Sequence, residues 1–227
     1  MPYTGSVAAR TYNQYCGLAR AAELLGERWA LLIVRDLLVG PKRFTDLQRG
    51  LAGIPSNVLT TRLKELEEAG VIRRRVLPRP AGSVVYELTG YGAELEAALI
   101  AIGRWGAKSL GDLRPAERIT ADSMIVALRS TFRPEAAAGV KASFELHFGP
   151  IVLNARVANK RVAVAAGPLD GADLAIEAQS GIRALLAGEI SPAAARKSGV
   201  VKIIGKGRPE TLELFATLFR IDPKPRT

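Results

Sequence analysis

Between Pro55 and Leu88 the chain reads PSNVLTTRLKELEEAGVIRRRVLPRPAGSVVYEL, and few folds accommodate that stretch. Pro55 and Ser56 supply helix-start chemistry and Gly70 supplies the stop. Between them Leu59, Leu63 and Leu66 recur at helical spacing and form a single apolar stripe. At about 100° per residue the opposite side carries Asn57, Thr61, Lys64 and Glu68, with Thr60 beside them. Arg73, Arg74, Arg75 and Arg79 then arrive with no acid before Glu87, in two short runs that read as strands around a Pro/Gly turn. A polar helix face followed at once by a basic hairpin suits the base edges and phosphates of duplex DNA.

Composition permits that expectation without proving it. The chain has 227 residues, 48% hydrophobic and 24% charged, which places it among globular proteins. Its net charge of +10 favours a polyanionic partner. The charge does not single out one half: residues 1–111 hold 15 cations against 10 acids, and 112–227 hold 17 against 12. Local placement must carry the DNA argument. No apolar run approaches the ~18–20 residues of a membrane span, and MPYTGSVAAR lacks a signal-peptide core, so a cytoplasmic location is expected. The single cysteine excludes an internal disulfide and a thiolate metal cluster.

Residues 16–39 read as two helices broken near Gly26, the second strongly buried through Trp29, Leu32, Ile33, Leu37 and Leu38. A third helix is expected over Phe44–Leu51, then Pro55–Ala69, the hairpin, and one long helix over Thr89–Leu110 carrying Leu95, Leu99, Ile102 and Trp105. After a linker at Gly111–Pro115 the pattern changes. A helix is expected over Asp122–Phe132. Val140, Ala142, Phe144, Leu146 and Phe148 then alternate with polar residues as a half-buried strand. Further strands follow at Ile151–Val157, Arg161–Ala166, Ala172–Ala178 and Val200–Ile204. Ser180 and Ser191-Pro192 open two short helices, and Pro209–Phe219 reads as a last one.

The first half resembles the HxlR-type transcriptional regulators. CGLARAAELLGERWALLIVRDLLVGPKRF, GIPSNVLTTRLKELEEAGVIRRRV, VVYELTGYG and RWG occur in that order over about residues 16–106. The resemblance implies a winged helix-turn-helix, a homodimer and operator DNA as partner. The segment from ADLAIEAQSG to LELFATLF resembles the end of a sterol-carrier-protein-2-like domain, which implies a sheet and helices around an apolar tunnel. The wing departs from the first pattern at Pro78–Gly82, and Lys206 departs from the second, where an acid is usual. The expected fold class is α+β: a winged helix-turn-helix over 1–111 for DNA binding and dimerisation, then a sterol-carrier-like sensor over 112–227 with a mainly antiparallel sheet.

The expected DNA contacts are Ser56, Asn57, Thr60, Thr61 and Lys64 on the reading helix, Lys42 and Arg43 before the third helix, and Arg74, Arg75 and Arg79 on the wing. Arg73 and Arg75 share a strand face and Arg74 takes the other, so one face is expected to pack inwards. Cys16, at a helix start with Arg20 one turn on, is a possible redox sensor or a half-buried core residue. Phe144, Leu146, Phe148, Leu185, Leu212 and Phe215 are candidates to line an apolar pocket for a lipid-like ligand. Small residues at Ala142, Ala155, Ala163, Ala165 and Ala166 favour such a space. His147 has no partner for a zinc site, Gly205-Lys206-Gly207 is not a phosphate loop, and no nucleophile–base pair stands out. Neither an enzyme nor a cofactor is expected. The rival reading is a lipid-carrying or enzymatic second half, with the first half as a partner-binding scaffold.

Overall fold

The computed structural model describes residues 11–78, 80, 82–179, 181–205 and 207–224. They fall into two compact units, Met1–Glu96 and Ala97–Thr227. That division comes earlier than the Gly111–Pro115 linker, because the helix before the linker is tied to the second unit. Arg104 Nε donates to the Ser130 carbonyl at 2.9 Å and its Nη2 to that of Phe132 at 3.2 Å.

The first unit opens with α1 (Gly17–Leu25), α2 (Ala30–Leu37), α3 (Phe44–Gly50) and α4 (Ser56–Glu68). A two-stranded hairpin of β1 (Ile72–Val76) and β2 (Val84–Leu88) follows, then the short α5 (Gly90–Ala93). Ile33, Val34, Leu37, Leu47, Leu51, Leu59, Leu63, Leu66, Ile72 and Val85 are buried, which is the stripe pattern the leucine spacing requires. Lys42 and Tyr86 exchange backbone hydrogen bonds at 2.9 and 2.7 Å, pinning the entry of α3 to β2.

The single helix expected over Thr89–Leu110 is two: α5, then α6 (Glu96–Ala107). The turn between them falls at Glu94–Leu95, and Gly92 just before it sits hard against the hairpin. A Cβ there would lie 2.0 Å from the Val71 carbonyl oxygen, so the close approach to the strand demands glycine. Glycine in turn weakens the helix at that point. Thr89 caps α5 by accepting from the Gly92 amide at 3.0 Å, and its hydroxyl donates to the Gly70 carbonyl at 2.6 Å.

The second unit holds α6 beyond its first residue, α7 (Ala121–Thr131), a 3₁₀ turn at Pro134–Ala137 and a five-stranded sheet. Its strands are β3 (Ala142–Phe148), β4 (Ile151–Ala158), β5 (Arg161–Ala166), β6 (Leu174–Ala178) and β7 (Val201–Ile204). The spatial order is β5-β4-β3-β6-β7; only β3 and β6 run parallel, so the sheet is mainly antiparallel. Asn159 and Lys160 both take positive φ, as a tight hairpin between β4 and β5 requires. Helices α8 (Ile182–Leu186) and α9 (Pro192–Lys197) lie between β6 and β7, and α10 (Pro209–Leu218) follows. Ser191 caps α9 by accepting from the Ala194 amide at 3.1 Å. Ser180, expected to start α8, lies outside the described residues.

Alternation along β3 separates two sheet faces. Phe144, Leu146, Leu153, Ala155, Val157, Leu174, Ile176 and Val201 are buried on one. Phe144 meets Phe215 edge-on at 5.2 Å and Phe219 at 5.9 Å, and Phe219 continues to Phe132 at 5.7 Å. The other face is polar and ordered by its own bonds. Asn154 Nδ2 donates to the Gly167 carbonyl at 3.0 Å, and Glu145 accepts from the Leu169 amide and faces His147 Nε2 at 2.6 Å. The Leu169 amide first, and His147 second, hold the Glu145 carboxyl below the usual carboxylate range. The alanines expected to thin the core divide between these faces. Ala142 and Ala155 are buried, whereas Ala163 and Ala165 pair with Arg156 and Asn154 on the polar face and are exposed, as is Ala166.

Candidate nucleic-acid interface

Helix α4 presents the face its sequence promised. Ser56, Asn57, Thr60, Thr61 and Lys64 are exposed, while Leu59, Leu63 and Leu66 opposite them are no more than 2% exposed. The Thr60 hydroxyl donates to the Ser56 carbonyl at 2.8 Å and that of Thr61 to the Asn57 carbonyl at 2.9 Å. Both hydroxyls keep acceptor capacity pointing outwards, and the Asn57 amide makes no side-chain hydrogen bond with the described residues. Lys64 lies 3.7 Å from Glu68, a loose and exposed pair. Arg62, half-buried, does structural work instead: it bonds Glu65 on its own helix and reaches Glu27 at 3.0 Å, bracing α4 against the α1–α2 corner.

The wing differs from its sequence expectation in two ways. None of Arg73, Arg74 and Arg75 is packed inwards: the β1 burial pattern leaves only Ile72 buried, and all three have exposed side chains. Val85 on β2 fills the inner position that an arginine face was expected to take. Nor are the arginines unpaired. Glu87 stands opposite Arg73 in the ladder and accepts from Arg73 Nε at 2.9 Å and Arg75 Nε at 2.8 Å. Arg75 first, with Arg73, lowers the Glu87 carboxyl below its ordinary range. Glu67 at the end of α4 takes Arg74 at 3.0 Å. Strand pairing brings Glu87 back across the hairpin, a closeness hidden in the linear order. Arg43 is exposed at the start of α3, its amide donating to the Asp46 carboxylate at 3.1 Å, and Lys42 beside it is half-buried. Arg79 lies outside the described residues.

Comparison with known proteins bears on these same elements. The model of the HxlR-like helix-turn-helix family matches residues 24–113. The uncharacterised HTH-type transcriptional regulator YvaP of Bacillus subtilis (strain 168) is 40% identical over 86 residues, which are 38% of this chain and 80% of that protein. The chain belongs to the HxlR-like helix-turn-helix family. YodB, an HTH-type transcriptional regulator of the same organism, is 40% identical over 94 residues, 41% of this chain and 84% of its own length. Among solved structures, reduced YodB from B. subtilis is 36% identical, covering 44% of this chain and 100% of that one, with a TM-score of 0.38. Like these HxlR-like relatives, the chain is a DNA-binding transcriptional regulator. The matches take in about two-fifths of its length. The sterol-carrier likeness of the second unit rests on sequence pattern alone.

Cys16 precedes the first turn of α1 and is exposed, not half-buried. The amides of Ala19 and then Leu18 favour its thiolate and lower its pKa below the ordinary thiol value, although the thiol makes no capping hydrogen bond. Arg20 is not the cause, since it pairs with Glu23 at 2.8 Å. Iodoacetamide at pH 7 is expected to alkylate Cys16 faster than an unperturbed thiol of pKa about 8.5. A rate profile with its midpoint at or above the ordinary value would remove the thiolate argument.

The six pocket candidates separate. Phe144, Leu146, Phe148, Leu212 and Phe215 are buried in the core, and Leu185 lines an open space. That space is a partly open cleft of about 850 Å³, lined by Leu185, Leu186 and Ala216 together with Arg133, Glu213 and Arg220. Arg133 is already paired with Asp222 and Glu135. Among the described residues no group of three or more His, Cys, Asp or Glu could hold a metal ion, and no helix is long and apolar enough to cross a membrane.

Proposed function

We propose that this protein is a homodimeric, sequence-specific regulator that reads operator DNA with α4. The carrying observation is the exposed row Ser56, Asn57, Thr60, Thr61 and Lys64 set opposite a fully buried leucine stripe. Short polar side chains near a helix N-terminus reach base edges in a major groove, with Asn57 suited to adenine. Lys42, Arg43 and the wing arginines then serve the phosphates on either side. One short helix touches few bases, whereas two related by a twofold axis read half-sites about 34–36 Å apart. Exposed Tyr12, Tyr15, Ile102 and Trp105 supply apolar surface of the kind a dimer buries. Residues 1–111 then serve reading and dimerisation.

The second half acts in this reading as a sterol-carrier-like effector module. With the aromatic core filled, the cleft beside Leu185 serves as its ligand site, with apolar walls for a lipid-like body and Arg220 for a polar head. Ligand control requires tighter binding to one arrangement of the reading heads than to the other. Cys16, exposed with a favoured thiolate, gives the same regulator an oxidant-responsive group. The protein acts in the cytoplasm, where its operator lies.

Gel shift of the full chain against genomic fragments tests the central claim. Selective binding in the range of about 10⁻⁸ M or tighter is expected. Equal affinity for all fragments would sink it and favour the scaffold reading. Native mass spectrometry, with titration of a fluorescent fatty-acid analogue, tests the ligand; absence of both a bound apolar species and a titration signal would reduce the second half to a spacing element.

A further inference from the structure

Glu87 fills the two guanidinium groups that the wing would otherwise offer to DNA. Its Oε1 takes Arg73 and its Oε2 takes Arg75, at 2.9 and 2.8 Å, so both carboxylate oxygens are spent on the forks of neighbouring arginines. The arginine side chains are 65% and 43% exposed, while that of Glu87 is only 13% exposed. The cations therefore sit at the surface with the acid beneath them. Arg74, on the other strand face, is held in the same manner by Glu67.

A carboxylate presents the same planar pair of acceptors to a guanidinium as two phosphate oxygens do. We propose that Glu87 competes with DNA phosphates for Arg73 and Arg75 and thereby suppresses binding to DNA that lacks the operator. The inference rests on the reading of α4 as the recognition helix. Exchanging Glu87 for a phosphate conserves the number of charge-assisted hydrogen bonds. It also strands a carboxylate that has little access to water, which opposes the exchange. On random DNA nothing holds the wing against the backbone, and the arginines stay with Glu87. On the operator the base contacts of α4 fix the wing beside one phosphate row and raise its effective concentration there. The same acid thus subtracts more from non-specific than from specific binding.

The test uses the full chain, a random-sequence duplex and a duplex selected by the protein from a randomised pool, each over a range of salt. Glu87→Gln is expected to tighten random-duplex binding about tenfold at low salt and to steepen the log K against log salt slope by about one to two units. The selected duplex should gain less, so the ratio of the two affinities falls. Arg73→Ala with Arg75→Ala is expected to leave random-duplex binding nearly unchanged in the native background and to cancel the gain in the Glu87→Gln background. That native-background pair decides the matter even if Glu87→Gln fails to fold, because a tenfold loss there would show the arginines already on phosphate. Equal gains on both duplexes, no change on the random one, or the same gain from Glu210→Gln, an exposed acid of the second unit, would each overturn the proposal. A wild-type protein that selects no duplex overturns the recognition reading itself, a result distinct from an inert Glu87→Gln on a working reader.

Discussion

Asn57→Ala combined with Thr61→Ala is expected to erase operator preference while leaving the fold intact. Both side chains are exposed on α4, and neither contacts the leucine stripe that holds the helix in place. Each lost base contact should remove about 1–3 kcal/mol of discrimination, so the pair removes most of the margin between a site and its near neighbours. Binding to random DNA should hardly change, since the phosphate-facing cations remain. Stability should shift little: the Thr61 hydroxyl bonds only its own helix, at the Asn57 carbonyl, and alanine is a better helix former than threonine. Competition gel shifts together with thermal unfolding decide the outcome. If the double variant keeps the wild-type preference, the reading face lies elsewhere on the unit.

The largest stability effect is expected in the second unit, from Phe215→Ala. Phe215 is fully buried and packs on Phe144 at 5.2 Å and Phe219 at 4.9 Å, so it joins α10 to the sheet and to the Phe132–Phe219 bridge. Truncating such a ring costs about 3–5 kcal/mol through lost burial and the cavity left behind. That is a large part of the ~5–15 kcal/mol that ordinarily holds a domain together. Chemical denaturation of the full chain, followed by far-ultraviolet circular dichroism, should show an early transition in the variant that wild type lacks. A loss below about 1 kcal/mol would mean that the core is slack around this ring, as a tunnel would make it, and would return the ligand site to the sheet–helix interior.

The helices and strands were legible from the chain wherever a periodic apolar pattern bound a face to a core. The α4 stripe, the β3 alternation, and the Ser191-Pro192 start of α9 all formed where spacing and capping chemistry placed them. The helix expected over Thr89–Leu110 is interrupted at Glu94–Leu95. Its apolar spacing runs on unbroken, but Gly92 answers to the Val71 carbonyl. Likewise Ile102 and Trp105 keep helical spacing with Leu99, yet Leu99 is buried while they are 50% and 73% exposed.

What the sequence determined by itself was the exposed polar face of α4 and the family motifs, because a helix places residues three and four apart on one side whatever surrounds it. Charge pairing across the wing was left to tertiary structure. Arg73, Arg74 and Arg75 form an uncompensated run along the chain, yet strand register sets Glu87 beside two of them, and the turn after α4 brings Glu67 to the third. The aromatic core was settled in the same way. Whether Phe144 and Phe215 line a space or fill one depends on how far α10 lies from β3, a distance fixed by the packing of Phe219 and Phe132 and not by apolar pattern. Periodicity fixes which way a side chain points; only the folded chain fixes what it meets there.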